Sequence, residues 1–479
     1  MNTDKKFESD KQNTIKTAFL NTFTNAVSLV IGMIMVPVIS RVFLPEELGI
    51  ATTFLSTRNI LVIIVTLAVY SYVNRAMIDL QGKTEKKDYL FTITLFSLFM
   101  TAAFFLLLIP FQDKVKTYLT LDTFLYHWLF FSIPSFALYT IAYYYCLFHN
   151  KSKTVFIIVL CSGPLSQILS VGLAGLFPFR KSWWRVLGLD STYMVTSVLF
   201  LLWLLFSGKR RFRTEHLRQT IAFTIPIIPH LLSQMVLTQC DLIMISTLTS
   251  SDRSGLYSMG HTVGFLAFTV MSQIMASWSP WVYRTIKEGK ETVIYTNARL
   301  IFLLGAYLSI GLLTISTELV HLFLSSSYSP CIYIIPPLTL SMFFQFCYIF
   351  MYDLEYYYKK TKWIAVCSLF AAVLNLMLNY MFIPLYGYLA AGYTTMASYL
   401  TLLLTNYFCV RKLHVSKIYP LGYFFKTGCL VIGYTIFSML FQENILMRYG
   451  VFLFITTMIV RHDWPLLNKL LRQVLNKKN

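Results

Sequence analysis

An all-α polytopic membrane protein with about fourteen transmembrane helices is the fold class this sequence predicts, from three observations. Of its 479 residues 56% are hydrophobic and only 13% charged, with a mean hydropathy of +0.62, whereas soluble domains carry about a quarter charged residues. Apolar runs long enough to cross a bilayer, ~20 residues each, recur along the whole chain. The connections between them are short, the longest about sixteen residues, which leaves no room for a folded extramembrane domain. Disordered, disulfide-framework and soluble enzymatic classes are excluded.

In chain order the runs fall at about 17–40, 49–74, 89–110, 123–148, 154–177, 186–207, 220–247, 255–283, 300–324, 331–352, 363–383, 386–410, 420–441 and 446–460. The first sixteen residues are polar, and the run after them is long and lacks a small-residue cleavage site. It is expected to stay as a spanning helix and not to be removed as a signal peptide. The eight cysteines fall almost entirely inside apolar runs with no CxxC spacing, so they read as small apolar residues. No metal-ligand cluster and no cofactor motif is present.

The net charge is +19, from 40 Lys plus Arg against 21 Asp plus Glu. In a soluble chain that excess would point to nucleic acid, but here the side of the bilayer that carries it decides. Fourteen spans put both termini on one side. With that side cytoplasmic, 30 basic residues lie in cytoplasmic segments, 8 on the opposite side, and Arg58 and Lys426 within spans. The bias is an orientation signal; it places both termini on the cytoplasmic side and leaves the excess charge with no need of a nucleic-acid partner.

A shift of 206 positions places Ile39-Ser40 on Ile245-Ser246 and Gly49 on Gly255, and Thr52, Ser56 and Thr66 on Ser258, Thr262 and Ser272. Helices 1–6 and 7–12 are therefore expected to be parallel repeats about an axis along the membrane normal, with substrate between them. The expected organisation is an N-lobe (1–208), a C-lobe (209–411) opening on the basic linker 209–218, and helices 13–14 with a cytoplasmic tail (412–479).

Polar side chains in a bilayer are costly, so their angular placement is informative. At 100° per residue, helix 2 stacks Thr52, Ser56, Asn59, Thr66, Tyr70 and Asn74 in one arc. Helix 7 stacks His230, Ser233, Gln234 and Asp241, and helix 8 stacks Ser258, His261, Thr262, Thr269, Ser272 and Gln273. Helix 1 adds Asn21, Asn25, Ser28 and Gly32. Such residues can glue helices together, but four stripes on two repeat-related pairs point to a shared aqueous cavity. Asn25, Ser56, Asn59, Gln234, Thr262 and Gln273 are its candidate substrate-binding residues.

Asp241 and His230 share a face ~16 Å apart and are candidates for taking up a coupling proton or sodium ion. Pro226 and Pro229 remove backbone hydrogen bonds early in helix 7 and should bend it. Arg58 sits deep in helix 2, where an arginine needs an anionic ligand, a water cavity, or a fixed carboxylate or carbonyl. It points about 120° away from the hydroxyl arc, and both the anion-site and fixed-partner readings stay open. Arg41, Arg75 and Arg284 lie at helix ends, where snorkelling competes with a substrate role; Arg284 is retained as a candidate. No acyltransferase pair, Asp-x-Asp, phosphate loop or metal-ligand cluster supports an enzyme.

Several stretches carry a family resemblance: Phe223-Thr-Ile-Pro-Ile-Ile-Pro-His230, Cys240-Asp241, Ser254-Gly255-Leu256-Tyr257-Ser258 and Ala276-Ser-Trp-Ser-Pro-Trp-Val-Tyr-Arg284, with Arg41-Val-Phe-Leu-Pro-Glu-Glu-Leu-Gly49 and Tyr386-Gly-Tyr-Leu-Ala-Ala-Gly392. Together they resemble Wzx-type O-antigen and capsule flippases of the multidrug/oligosaccharidyl-lipid/polysaccharide exporter superfamily. The resemblance spans helices 1–12. One departure is Asp241-Leu242, where it leads one to expect Asp-Arg. It implies a V-shaped pair of six-helix lobes alternating between inward- and outward-open forms. The implied cargo is an undecaprenyl-diphosphate-linked oligosaccharide, moved from the cytoplasmic to the outer leaflet with its lipid tail in the bilayer. Hydroxyls and amides would replace water around the sugars, and arginines would hold the diphosphate. Membrane lipid and polysaccharide polymerase or assembly proteins are the implied partners. A cation-coupled multidrug or metabolite exporter on the same architecture is the alternative.

Overall fold

The computed structural model describes residues 27, 28, 30–149, 151–208, 210–413 and 415–475. Every secondary element among them is helical, as a chain with no water to satisfy its backbone requires. Among the described residues, eleven helices are long and apolar enough to cross a membrane, or twelve when one bent pair counts as a single span. The expected count of fourteen is not reached among these residues. The two remaining expected segments are a shorter apolar helix, α1 (Val30–Val42), and α17 (Tyr388–Val410), which falls outside those twelve. Asn21 and Asn25, expected on helix 1, lie outside the described residues.

The chain forms two compact units, Met1–Leu256 and Tyr257–Asn479. The boundary expected from the internal repeat lies at 208/209.

The first unit holds α1, α2 (Pro45–Val65), α3 (Val73–Asp79), α4 (Lys83–Leu108), α5 (Gln112–Tyr118), α6 (Thr123–Phe148), α7 (Ser152–Leu160), α8 (Ser166–Leu176), α9 (Lys181–Phe206), α10 (Thr214–Thr224) and α11 (Ile228–Leu248). Pro45 at the first helical position and Glu46 and Glu47 in the first turn favour the start of α2, and the Leu44 N–H donates to Glu47 Oε2 at 2.9 Å. A buried seam of Val62, Leu125, Leu129, Ile133 and Val186 joins α2, α6 and α9. Between α7 and α8 the chain makes one π-turn, Cys161–Leu165, around Pro164, a usual response to a missing backbone donor.

Two expectations about helix continuity change here. Helix 2 was expected to run to residue 74, but α2 stops at Val65 because Leu67 and Ala68 take left-handed backbone, φ 49° and 48°. Thr66 turns its hydroxyl back onto Val62 O at 2.6 Å, and Tyr70 and Asn74 leave the arc of Ser56 and Asn59. Near Pro226 and Pro229, where a bend is expected, the turn 225–227 interrupts the helix and separates α10 from α11.

The N-terminal turns of α2 and α12 (Ser251–Gly264) meet backbone to backbone. A Cβ on Gly49 would lie 1.7 Å from Ser251 O, and one on Gly255 would lie 1.8 Å from Pro45 O. Since 45 and 49 map onto 251 and 255 under the shift of 206, the contact is reciprocal.

The second unit begins within α12, whose first turn belongs to the first unit, and continues through α13 (Leu266–Lys287), α14 (Glu291–Phe323), α15 (Ile335–Tyr357), α16 (Thr361–Tyr386), α17, α18 (Val415–Ile418), α19 (Leu421–Leu440) and α20 (Ile445–Leu475). Helix 8, expected to be continuous, is bent by 48° between α12 and α13. This divides its polar stripe at Phe265. The tightest packing runs from α15 to α17 and from α17 to α16. Arg448 is buried and joins three helices: its Nη1 donates to Glu318 Oε2 of α14 at 3.0 Å and also to Thr314 O, while its carbonyl accepts from Tyr434 of α19 at 3.2 Å.

Candidate functional site

In the first unit the candidate residues converge on α2 and α11, which pack against each other. Arg58 is buried, and its guanidinium forms an ion pair with Asp190 of α9. Asp190 also accepts from Trp128 Nε1 at 3.1 Å and Ser132 Oγ at 2.6 Å, both on α6. Phe136 and Tyr193 flank the guanidinium at 4.8 and 5.2 Å. A fixed carboxylate therefore holds this charge. The same fork donates to Asn59 Oδ1, at 3.0 Å from Nη2 and 3.3 Å from Nε, which fixes the half-buried Asn59 amide.

Ser56 is buried and donates to Gln239 Oε1 of α11 at 2.8 Å; Gln239, five residues beyond the candidate Gln234, was not among the candidates. Gln234 itself is half-buried. Asp241 is 3% exposed and His230 is half-buried on the same helix. Eleven residues of α-helix separate them by ~16 Å, so they are two positions and not one site.

In the second unit Thr262 is exposed on α12 and donates to Ser258 O at 2.8 Å. Gln273 is exposed on α13, on the far side of the bend. Arg284 is also exposed, its Nε donating to Pro280 O at 3.3 Å. It borders a cavity of about 880 Å³ between α13, α14 and α20. That cavity is lined by apolar groups such as Trp278, Trp281 and Leu304, with Arg284 and Asn297 among its few polar members.

Three polar sets went unnoticed in the sequence. Asp190 is one. Asp353, buried on α15, accepts from Ser279 Oγ at 2.9 Å and Tyr283 Oη at 3.0 Å, both on α13. A neutral cluster joins α16 to α17: Asn379 Nδ2 donates to Asn375 Oδ1 at 3.2 Å, Asn375 Nδ2 to Thr395 at 3.4 Å, and Thr394 to Asn379 Oδ1. The signal for Asp190 was a lone acid inside an apolar run, which is a site hypothesis by default. No group of three or more His, Cys, Asp or Glu able to hold a metal occurs among the described residues.

This helical architecture is one found in solved lipid flippases and multidrug transporters. Among similar solved structures is the lipid II flippase MurJ in its inward closed conformation, at 15% identity and TM-score 0.69, covering 94% of this chain and 99% of that one. An inward-facing multidrug resistance MATE family transporter of the MOP superfamily matches at 10% identity and TM-score 0.62, covering 81% and 95%. The MATE transporter VcmN of Vibrio cholerae, in its bent form, matches at 14% and 0.50, covering 86% and 98%. At these identities the likeness is one of fold. The chain belongs to the polysaccharide biosynthesis protein family, whose profile matches residues 14–286, in keeping with the Wzx-type resemblance. No curated protein sequence matches the chain.

Proposed function

We propose that this protein is a flippase that carries an undecaprenyl-diphosphate-linked oligosaccharide, an O-antigen or capsule repeat unit, from the cytoplasmic to the outer leaflet by alternating access. The observation that carries the reading is the family membership over residues 14–286. The cavity between α13, α14 and α20 supports it: its apolar walls suit a polyprenyl tail, and Arg284 beside them suits a diphosphate. Ser56, Asn59, Gln234, Thr262 and Gln273, with Asn25 outside the described residues, would contact the glycan. Arg58, already paired, would act through the Asn59 amide it holds. Asp241 and His230 would take up the proton or sodium ion whose gradient drives transport. Both termini would lie in the cytoplasm of a bacterial inner-membrane protein, with polymerase or assembly proteins receiving the product. A cation-coupled multidrug exporter is the second reading, favoured only by the MATE-like fold.

The test uses the host strain. Deleting the gene should abolish surface glycan and leave lipid-linked glycan in the inner leaflet. The wild-type chain should restore export, and Arg284→Ala should restore it weakly at normal protein level. Full surface glycan in the deletion strain would overturn the proposal.

A further inference from the structure

Five carboxylates are buried among the described residues: Asp88, Asp190, Asp241, Asp353 and Glu355. Asp88 is paired with Arg213, Asp190 with Arg58, and Asp353 with two hydroxyls, and Asp241 is also engaged. Glu355 differs. It is 0% exposed, and neither of its carboxylate oxygens has a hydrogen-bond partner among the described residues.

Glu355 lies in the last turn of α15, on which α17 packs most closely, followed by α13, α14, α19 and α16. The titratable groups around it are neutral phenols and thiols. Tyr348 and Tyr352 share its helix, Cys367 faces it from α16, and Tyr399 and Cys409 approach those groups from α17. Tyr283 of α13 is taken by Asp353, two residues away. Lys359, Lys360 and Lys362 in the following turn are exposed, and none forms an ion pair with Glu355 among the described residues. A bare carboxylate in such a place bears the full cost of lost hydration, and the group neutralises instead.

The geometry points to Glu355 as a proton-binding site of the second unit, occupied in this conformation. The proton forms an O–H bond on one carboxyl oxygen when α15, α16 and α17 are packed as here. It is released to water when that packing opens. Positions 348, 352 and 355 fall on one helix face, with the Tyr348 and Tyr352 rings 5.9 Å apart and Tyr352 followed at 6.0 Å by Tyr356, which is exposed. This row of phenols offers a way out for the proton. Its use in driving transport rests on the flippase reading; its presence on Glu355 does not.

Infrared spectroscopy of the full-length protein in liposomes, with 13C-carboxyl-labelled glutamate, tests the site directly. Glu355 is the one fully buried glutamate among the described residues. A carbonyl band of a protonated, labelled carboxyl group at neutral pH is therefore expected, and it should vanish in Glu355→Gln. The wild-type measurement stands even if that variant folds poorly. Absence of the band, or its persistence in Glu355→Gln, would overturn the assignment; a band that disappears on adding sodium at constant pH would replace the proton with that cation. In proteoliposomes, Glu355→Gln should lose the stimulation of glycolipid transport by an imposed pH gradient. Retained stimulation would overturn the coupling role while leaving both the flippase reading and the bound proton standing.

Discussion

Arg58 shows what a single intramembrane charge needs. Its ion pair with Asp190 is closed by Trp128, Ser132 and two aromatic faces, so removing one partner leaves the other charge buried. Asp190→Ala is expected to destabilise the protein by roughly 3–5 kcal/mol, while the double change Arg58→Met with Asp190→Leu should recover most of that loss. Thermal unfolding in detergent measures both. A double variant that is stable yet dead for transport would give Arg58 a direct role beyond the pair. The depth of Arg58 could be read from its place in the chain. Its partner could not, because Asp190 lies 132 positions away.

His216, on the short helix α10 outside the spanning segments, adds a pH effect. Burial, the largest influence, lowers its pKa below the ordinary 6.5. The nearby carboxylates of Glu85, Asp88 and Glu215 raise it and Arg213 lowers it. The folded state thus favours neutral imidazole, whereas the unfolded chain takes up a proton as pH falls through about 6.5, and stability drops with acidification. Melting temperatures measured between about pH 5 and 7 should fall less steeply for His216→Gln than for the wild type.

At the scale of elements, the crossing of α2 and α12 is the tightest contact that an internal repeat supplies. With a Cβ at Gly49 or Gly255 only 1.7 or 1.8 Å from a backbone oxygen, no side-chain movement relieves the clash. Gly49→Ala and Gly255→Ala should each destabilise the first unit, by at least about 1–3 kcal/mol, and by similar amounts because the contact is reciprocal. A melting temperature unchanged in either variant would show that the crossing does not hold the unit together. The correspondence of the two glycines was visible as a shift of 206 positions, but their mutual contact was not. Helix breaks divide the same way. Pro226 and Pro229 announce theirs, since proline removes a donor. The left-handed pair Leu67-Ala68 carries no mark in residue type, because tertiary packing imposes a backbone that apolar L-residues avoid locally.

For the whole molecule, the distribution of basic residues makes a prediction independent of any substrate. The turn carrying Lys360 should face the cytoplasm, and the turn carrying Asn444 should face the opposite side. Membrane-impermeant thiol labelling of Lys360→Cys should occur in inverted vesicles, and labelling of Asn444→Cys in intact spheroplasts. The reverse pattern would invert the transport direction proposed above.

What this sequence determined alone is its class, the approximate position of its helices and the expected sidedness of its loops. Each follows from local composition, since a bilayer demands apolar runs of fixed length and places positive charge on one side. Only the tertiary structure decided which polar groups are engaged: Arg58 on Asp190, Ser56 on Gln239, Asp353 on Ser279 and Tyr283, and Glu355 on nothing described. The pairing of a charge depends on which helix lies beside it in space, and the free energy that selects that neighbour is spread over residues far apart in the chain.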